Sequence, residues 1–431
     1  MTIFAGLVLF LTLGLLLVFG VPVGLAVLVS AIITMLLILP FDMTMFTTAQ
    51  QLAVGVDNFT ILAIPLFILA GIIMNNGGIA FRLINFAKVL VGRIPGSLAH
   101  TNVVGNMLFG SISGSSVASA AAIGRVMIPM QVNQKYSRNY GAATNIASAP
   151  VGLLLPPSPL LIVYSLVSGG TSIAALFIAG YIPGILWGLG VIIMAYFIAK
   201  RRQYPVSETI SWKDKGYIIL SALPSLLLIV IVMGGIIAGF FTATEAAAVA
   251  VLYATILTVL YKSLTLKDIP EILRETISIT GMILFLITAS AMFSFVMSYT
   301  GIPEGISSSL LSITDNMIIL LLLINLILLV IGTFMDITPA VLIFTPILFP
   351  IAMDLGIDPV HFGIIVTFNL CIGNITPPIG TVLFVGTRVA NARFEGVIKA
   401  LVPYFIMLVV ILLVITFVPQ LSLYLPELFD L

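Results

Sequence analysis

Two short stretches stand out as places where backbone could do chemistry: "GLLLPPSP" at Gly152–Pro159 and "GNITPPIG" at Gly373–Gly380. Both read glycine, three residues, Pro-Pro, and they lie 221 positions apart in strongly apolar surroundings. Proline removes an amide donor and obstructs the preceding helical turn, and glycine admits conformations that other residues avoid. A helix broken in this way leaves carbonyl oxygens without helical partners. Lipid tolerates such backbone only where it is buried in protein or lines a polar cavity. Freed carbonyls are oriented hard-oxygen ligands, and those at a half-helix C-terminus carry the negative end of its dipole. That is a sodium site in outline. Two hydroxyl-bearing stretches accompany the breaks, "SISGSS" within Gly110–Ser119 and "TFMDIT" within Gly332–Val341, offset by 222. The half-helix N-termini that follow them favour an anion. A cation and an anionic substrate would therefore bind side by side, once per break or across both. Asp336, in the second stretch, is an ionisable group inside an apolar segment and so a functional candidate, with helix capping as its structural alternative.

The elements that must hold these stretches are membrane helices. Of 431 residues, 61% are hydrophobic and 8% charged, with a mean hydropathy of +1.26. Soluble domains carry about 25% charged residues, so the solvent for this chain is a lipid bilayer. A helical span needs roughly 20 apolar residues. The windows 3–20, 22–39, 52–74, 141–169, 174–199, 217–240, 244–261, 277–299, 360–390 and 397–418 qualify. Two longer windows, 97–130 and 316–352, do not read as single spans. The first apolar stretch lacks a basic leader and a small-residue cleavage site and reads as a retained helix. A net charge of +1 offers no nucleic-acid surface. No phosphate-cradling GxxxxGK[ST] motif is present, which speaks against ATP drive within this chain. Cys371 is the single cysteine and reads as a small core residue.

Basic residues collect in cytoplasmic loops. The 17 Lys and Arg fall at 82–93, 125–138, 200–215, 262–274 and 388–399, with none from 275 to 387. With the N-terminus periplasmic, 97–130 entering from and returning to the cytoplasm, and 316–352 doing the same from outside, every one lies on or beside the cytoplasmic side. The outer loops then carry acids: Asp42, Glu304, Asp315, Asp354, Asp358, Glu427 and Asp430. The C-terminus is also periplasmic. "FRLINFAKVLVGR" (Phe81–Arg93) places Arg82, Asn85 and Lys88 at three-residue steps, as suits a helix lying in the interface.

"GGI" at Gly77–Ile79 and "TGI" at Thr300–Ile302 extend the correspondence at an offset of 223. The expected organisation is therefore two scaffold helices in 1–51, a first repeat over 52–199 with hairpin 97–130 and broken helix 141–169, and a cytoplasmic loop with connecting helices over 200–272. A second repeat of opposite orientation spans 273–418, with hairpin 316–352 and broken helix 360–390, before a periplasmic tail at 419–431. The fold class is an all-α polytopic membrane protein with inverted repeats, two re-entrant hairpins and two broken helices, an arrangement associated with secondary transporters.

Other polar residues have plainer readings. "TATE" (Thr242–Glu245) has capping-box spacing, so Glu245 is structural. His100 and His361 lack acidic or cysteine partners in register and read as interfacial, not metal ligands. Arg125 faces the cytoplasm or an acidic partner. An intramembrane serine protease built on Ser113 or Ser115 needs a histidine in reach, and the two histidines flank opposite hairpins. A passive channel is disfavoured by two symmetric breaks.

The chain resembles the large membrane subunit of tripartite ATP-independent periplasmic (TRAP) transporters over nearly its whole length. The resemblance rests on "GSISGSSVASAAAIG", "NIASAPVGLLLPPS", "GFFTATEAAAVA", "GTFMDITPAVLIFTPILFPIA" and "GNITPPIGTVLFVG". It implies an elevator-type, sodium-coupled importer of organic anions such as C4-dicarboxylates or sialic acids at the bacterial inner membrane. It implies two partners, a separate small four-helix membrane subunit and a soluble periplasmic binding protein, and no cofactor beyond Na+ as coupling ion. By position, a first sodium site would use Ser113 and Ser115 with backbone oxygens of Gly152, Leu155 and Pro157. A second would use Gly332, Gly373, Thr376 and Ile379. Ser115, Ser158 and Asp336 would face the substrate. Leu155 offers only its carbonyl where the second copy has Thr376, so the two sites need not be equally strong. The alternative is a divalent anion/sodium symporter of similar architecture that needs no binding protein.

Overall fold

A computed structural model describes residues 2–206, 211–313 and 316–431. Asp315 and residues 207–210 of the 200–272 segment lie outside the described residues. All elements among the described residues are helical. In chain order they begin with α1 (Thr2–Val18), α2 (Val23–Leu36), α3 (Phe41–Val54), α4 (Ala63–Asn76, preceded by a 3₁₀ turn at Phe59–Leu62) and α5 (Ile79–Val91). The first long window is two helices, α6 (Ser97–Ser113) and α7 (Ser116–Asn133). The first broken window is α8 (Arg138–Ser148), a 3₁₀ turn at Ala149–Leu153, and α9 (Pro159–Val167). Then follow α10 (Ile173–Ala179), α11 (Tyr181–Arg201), α12 (Trp212–Ile237) and α13 (Ala243–Leu260). The second half runs α14 (Ile269–Thr300), α15 (Ile302–Ile313), α16 (Met317–Phe334), α17 (Ile337–Asp354), α18 (Pro359–Gly373), α19 (Thr381–Ala390), α20 (Phe394–Phe417) and α21 (Gln420–Leu428). Among the described residues, eight helices or helix pairs are long and apolar enough to cross a membrane.

Three differences from the sequence expectation have physical reasons. The mixed segment "FDMTMFTTAQQLAV" forms α3, although its polar residues kept 41–51 out of every apolar window; only Thr44 and Thr48 are buried. The helix expected at 277–299 starts at Ile269, where Glu271, Arg274 and Glu275 had depressed the hydropathy. The tail at 419–431 holds α21, anchored by buried Ser422 and Pro426. His100 and His361 are buried in protein: the ring Nε2 of His100 is 3.0 Å from the Pro95 carbonyl, and that of His361 is 3.4 Å from the Thr416 carbonyl. Both rings bridge to backbone that neighbouring segments supply.

Local expectations hold where the chemistry is local. Thr242 and Glu245 form a reciprocal capping box at the start of α13, in which the Glu245 carboxylate accepts from the Thr242 amide and hydroxyl. Helix α5 buries Ile79, Leu83, Ile84 and Ala87 on one face and lays Arg82 over the Tyr261 ring at 3.5 Å. Cys371 is buried.

The core lies around the breaks. Residues 140–158 and 361–375 are buried without exception, so protein shields the first break, as it must in lipid, and the approach to the second, whose Pro378 and Ile379 are exposed. Helix α8 is fixed by hydrogen bonds from both halves of the chain: Trp187 Nε1 donates to the Ala147 carbonyl at 2.8 Å, and the hydroxyls of Thr144 and Tyr404 are 2.8 Å apart. In each half the first helix of the pair crosses the break at a glycine. A Cβ on Gly152 would stand 2.3 Å from Gly110 Cα, and one on Gly373 would stand 2.4 Å from Gly332 Cα. Backbone thus meets backbone at both crossings, which only glycine permits.

Candidate functional site

The prolines decide which carbonyls are left over. In an α-helix the amide of residue i donates to the carbonyl of i−4. Pro156, Pro157 and Pro159 have no amide hydrogen, so the carbonyls of Gly152, Leu153 and Leu155 lose their helical donors. The Ser158 hydroxyl donates to the Leu153 carbonyl at 2.6 Å, which leaves Gly152 and Leu155, two members of the first expected cation site. In the second break Pro377 and Pro378 remove the donors facing the carbonyls of Gly373 and Asn374. The Thr376 amide turns back to the Gly373 carbonyl at 2.9 Å, and its hydroxyl donates to the Ile372 carbonyl at 2.6 Å. Ile379 joins the break to the paired helices through its amide, which donates to the Thr333 carbonyl at 3.3 Å.

The turns between paired helices sit against these breaks. Gly114 takes φ +60° between α6 and α7, and a side chain there would collide with the Pro159 ring at 2.7 Å. Ser115 is the N-cap of α7; its hydroxyl accepts from the Ala118 amide at 3.2 Å. The Ser113 hydroxyl is buried without a hydrogen-bond partner among the described residues. Such a group is costly unless something else satisfies it, and a hard cation held by oxygen ligands does so. Asp336 occupies the N-cap position of α17 but makes no side-chain cap bond. It is exposed, and it accepts from the Thr381 hydroxyl at 3.3 Å.

A cavity of about 540 Å³ brings the turns together. Ser113, Gly114, Ser115, Asp336 and Thr338 line one side, with Leu153 and Leu160 of the first break; α2, α4 and α14 line the other. No lining side chain among the described residues is basic; the two charged ones are Asp336 and Glu275. Three expected site residues, Ser113, Ser115 and Asp336, therefore share one space. Gly152, Leu155 and Pro157 of the first break, Gly332 of α16, and Gly373, Thr376 and exposed Ile379 of the second break are not among its lining residues. Ser158 is fully buried with its hydroxyl engaged on Leu153.

Sequence reasoning passed over the polar groups that tie the breaks to the turns. Asn374 donates from Nδ2 to the Ser116 hydroxyl at 3.4 Å and accepts at Oδ1 from the Thr381 hydroxyl and from the Val382 amide at 3.4 Å. In the first half Asn106 bridges Asn145 and Ser148 at 3.0 and 2.7 Å while accepting from Ser119 at 2.7 Å. In the second, Asn369 donates to Asn325 at 2.6 Å. Amides in the middle of apolar helices are expensive, and their recurrence was the signal available in the sequence.

Fold and site together describe a multi-pass helical membrane protein with a cavity where two helix turns meet the first of two broken helices. The chain belongs to the family of the tripartite ATP-independent periplasmic transporter, DctM component, whose family model matches residues 10–421. It is 51% identical to "Uncharacterized protein YgiK" of Salmonella typhimurium, over 98% of this chain and 97% of that protein. It is 42% identical to the sialic acid TRAP transporter large permease protein SiaM of Vibrio cholerae, over 95% of this chain and 96% of that one. The fold resembles the solved structure of the Alcanivorax borkumensis YdaH transporter, with a TM-score of 0.61 at 17% identity over 86% of each chain. This chain is thus a multi-pass inner-membrane transporter subunit rather than an enzyme.

Proposed function

We propose that this chain carries an organic anion, of the sialic acid or C4-dicarboxylate type, inward across the inner membrane together with sodium, receiving it from a periplasmic binding protein and working beside a small four-helix subunit. The observation that carries the reading is that both turns, each set against its own Gly-x-x-x-Pro-Pro break, line one cavity whose described lining has no basic side chain. An anion there must be balanced by something other than Lys or Arg. Two oxygen-rich breaks suited to sodium, and amide groups at the starts of α7 and α17, supply that balance. A relative named for sialic acid transport supports the substrate class.

The two halves are read as inverted repeats. Corresponding glycine crossings, Gly110 on Gly152 and Gly332 on Gly373, support this. The limbs α16 and α17 are each 18 residues, long enough by themselves to cross; the placement of the 17 basic residues favours re-entrant pairs instead. Helices α2, α4 and α14 line the cavity together with the two turns and the first break, and we read the former as the fixed scaffold and the latter as part of the moving domain of an elevator. In that topology Val206 is cytoplasmic and Asp354 periplasmic. With Cys371 replaced by serine, an impermeant thiol reagent applied to intact cells is expected to label Asp354→Cys and spare Val206→Cys. The opposite pattern would overturn the topology.

The function is tested by uptake in proteoliposomes containing this chain, its small partner and the binding protein, against a panel of radiolabelled organic acids. Accumulation of one sialic acid or C4-dicarboxylate, dependent on the binding protein, is the expected result. Uptake that is equal with and without the binding protein would favour a stand-alone anion symporter.

A further inference from the structure

The four residues Ser116, Asn374, Thr381 and Asp336 form a continuous hydrogen-bonded line from the first helix turn to the second. Its ends are 220 positions apart in sequence, and neither Asn374, Thr381 nor Ser116 lines the cavity. Ser116 and Asn374 are buried, at 5% and 1% exposure. The direction of the line is set by chemistry. The Val382 amide can only donate, so the atom of Asn374 that faces it is the carbonyl oxygen. The Nδ2 group is thereby left to donate to Ser116. Thr381 has one hydroxyl hydrogen and two acceptors in reach, Asn374 Oδ1 and Asp336 Oδ1. It can satisfy one of them fully at a time.

We propose that Thr381 and Asn374 are positioning residues that couple the Asp336 carboxylate to the first turn, so that occupancy of the cavity changes the hold on Ser116. When a substrate hydroxyl or amide donates to Asp336, Thr381 turns wholly to Asn374, which fixes the orientation of its amide toward Ser116. Ser116 directly follows Ser115 and lies three residues from Ser113, so the arrangement of the first cation site follows. When the cavity is empty, Thr381 divides its hydrogen between two acceptors and the first turn is held less firmly. Substrate and sodium then strengthen each other's binding, which reciprocity requires of any such coupling.

The inference rests on reading the cavity as a sodium-coupled anion site, and its test separates the two. Half-saturating substrate concentrations are measured at low and high sodium in proteoliposomes of the complete complex, with sialic acid and succinate as probes. The wild-type chain, Thr381→Val, Thr381→Ser and Ser116→Ala are compared. In the wild type, sodium lowers the half-saturating concentration. Thr381→Val keeps the shape of the side chain and loses the hydroxyl, so the sodium effect shrinks by about five-fold or more, in the usual range of coupling between sites. Thr381→Ser restores it. Ser116→Ala touches neither the cavity nor the start of α19, and it reproduces the loss if the line acts as a relay. A role for Asn374 confined to capping α19 would leave Ser116→Ala with the wild-type sodium effect. That result, or an unchanged effect in Thr381→Val, overturns the relay whatever happens to the maximal rate. A wild-type complex whose substrate affinity ignores sodium overturns the underlying reading instead, and the relay with it.

Discussion

Gly373→Ala is expected to abolish uptake while Gly281→Ala leaves it unchanged. The added Cβ at 373 would lie 2.4 Å from Gly332 Cα, 2.5 Å from its carbonyl carbon and 2.8 Å from its oxygen. These are backbone atoms of α16 and cannot rotate away as a flexible side chain could. Gly152→Ala meets the same obstacle in the first half, with Gly110 Cα and carbonyl carbon both at 2.3 Å. Overpacking a well-filled core costs about 1–3 kcal/mol or more. Here the strain falls on the carbonyl oxygens proposed to hold a cation, so function is expected to fail before folding does. A Cβ added at Gly281 would meet no heavy atom of the described residues within 4 Å, and alanine is the better helix former there. Membrane levels by immunoblot and uptake in the same cells check the prediction. Robust uptake by Gly373→Ala at normal levels would show that the close crossing is dispensable.

The second large effect is expected at Asp336. A carboxylate in a cavity for an anion is unfavourable unless donors or a cation stand between. It does not cap α17, so stability of the helix start does not explain it. Thr381 reaches it at 3.3 Å, and the rest of its acceptor capacity faces the cavity. Hydrogen bonds to a charged acceptor are worth about 1.5–3 kcal/mol. Asp336→Asn is therefore expected to raise the half-saturating substrate concentration by roughly ten-fold or more, with sodium activation largely intact, because asparagine keeps an acceptor for Thr381 but forfeits the charge. Weaker sodium activation in Asp336→Asn with an unchanged half-saturating substrate concentration would instead assign the carboxylate to the cation. Near-normal kinetics in Asp336→Asn and Asp336→Ala alike would remove it from the site.

What could be seen in the sequence was local. Glycine and proline announce broken backbone wherever they occur, so Gly152, Pro156, Pro157, Gly373, Pro377 and Pro378 marked the breaks, and Gly114 marked a turn that needs positive φ. The Thr242–Glu245 box spans three residues and was equally plain. What escaped was made by distant partners. Asn374 gains its meaning from Ser116, 258 positions away, and from Thr381 across the break. The pairing of Gly110 with Gly152 cannot be read until the crossing of α6 over the break is seen. Periodicity also had nothing to say about α3 and α21, whose mixed composition fits neither a span nor a loop.

Sodium dependence is the most direct test of the proposed mechanism. Uptake of the transported acid by the complete complex in proteoliposomes is to be measured at one external substrate concentration, with an inward sodium gradient and with potassium in its place. The described lining of the cavity has no basic side chain to balance an anion, and the Ser113 hydroxyl is left without a partner among the described residues. Replacing sodium is therefore predicted to reduce the initial rate by at least about ten-fold, equivalent to about 1.4 kcal/mol. Equal rates in sodium and potassium would contradict it.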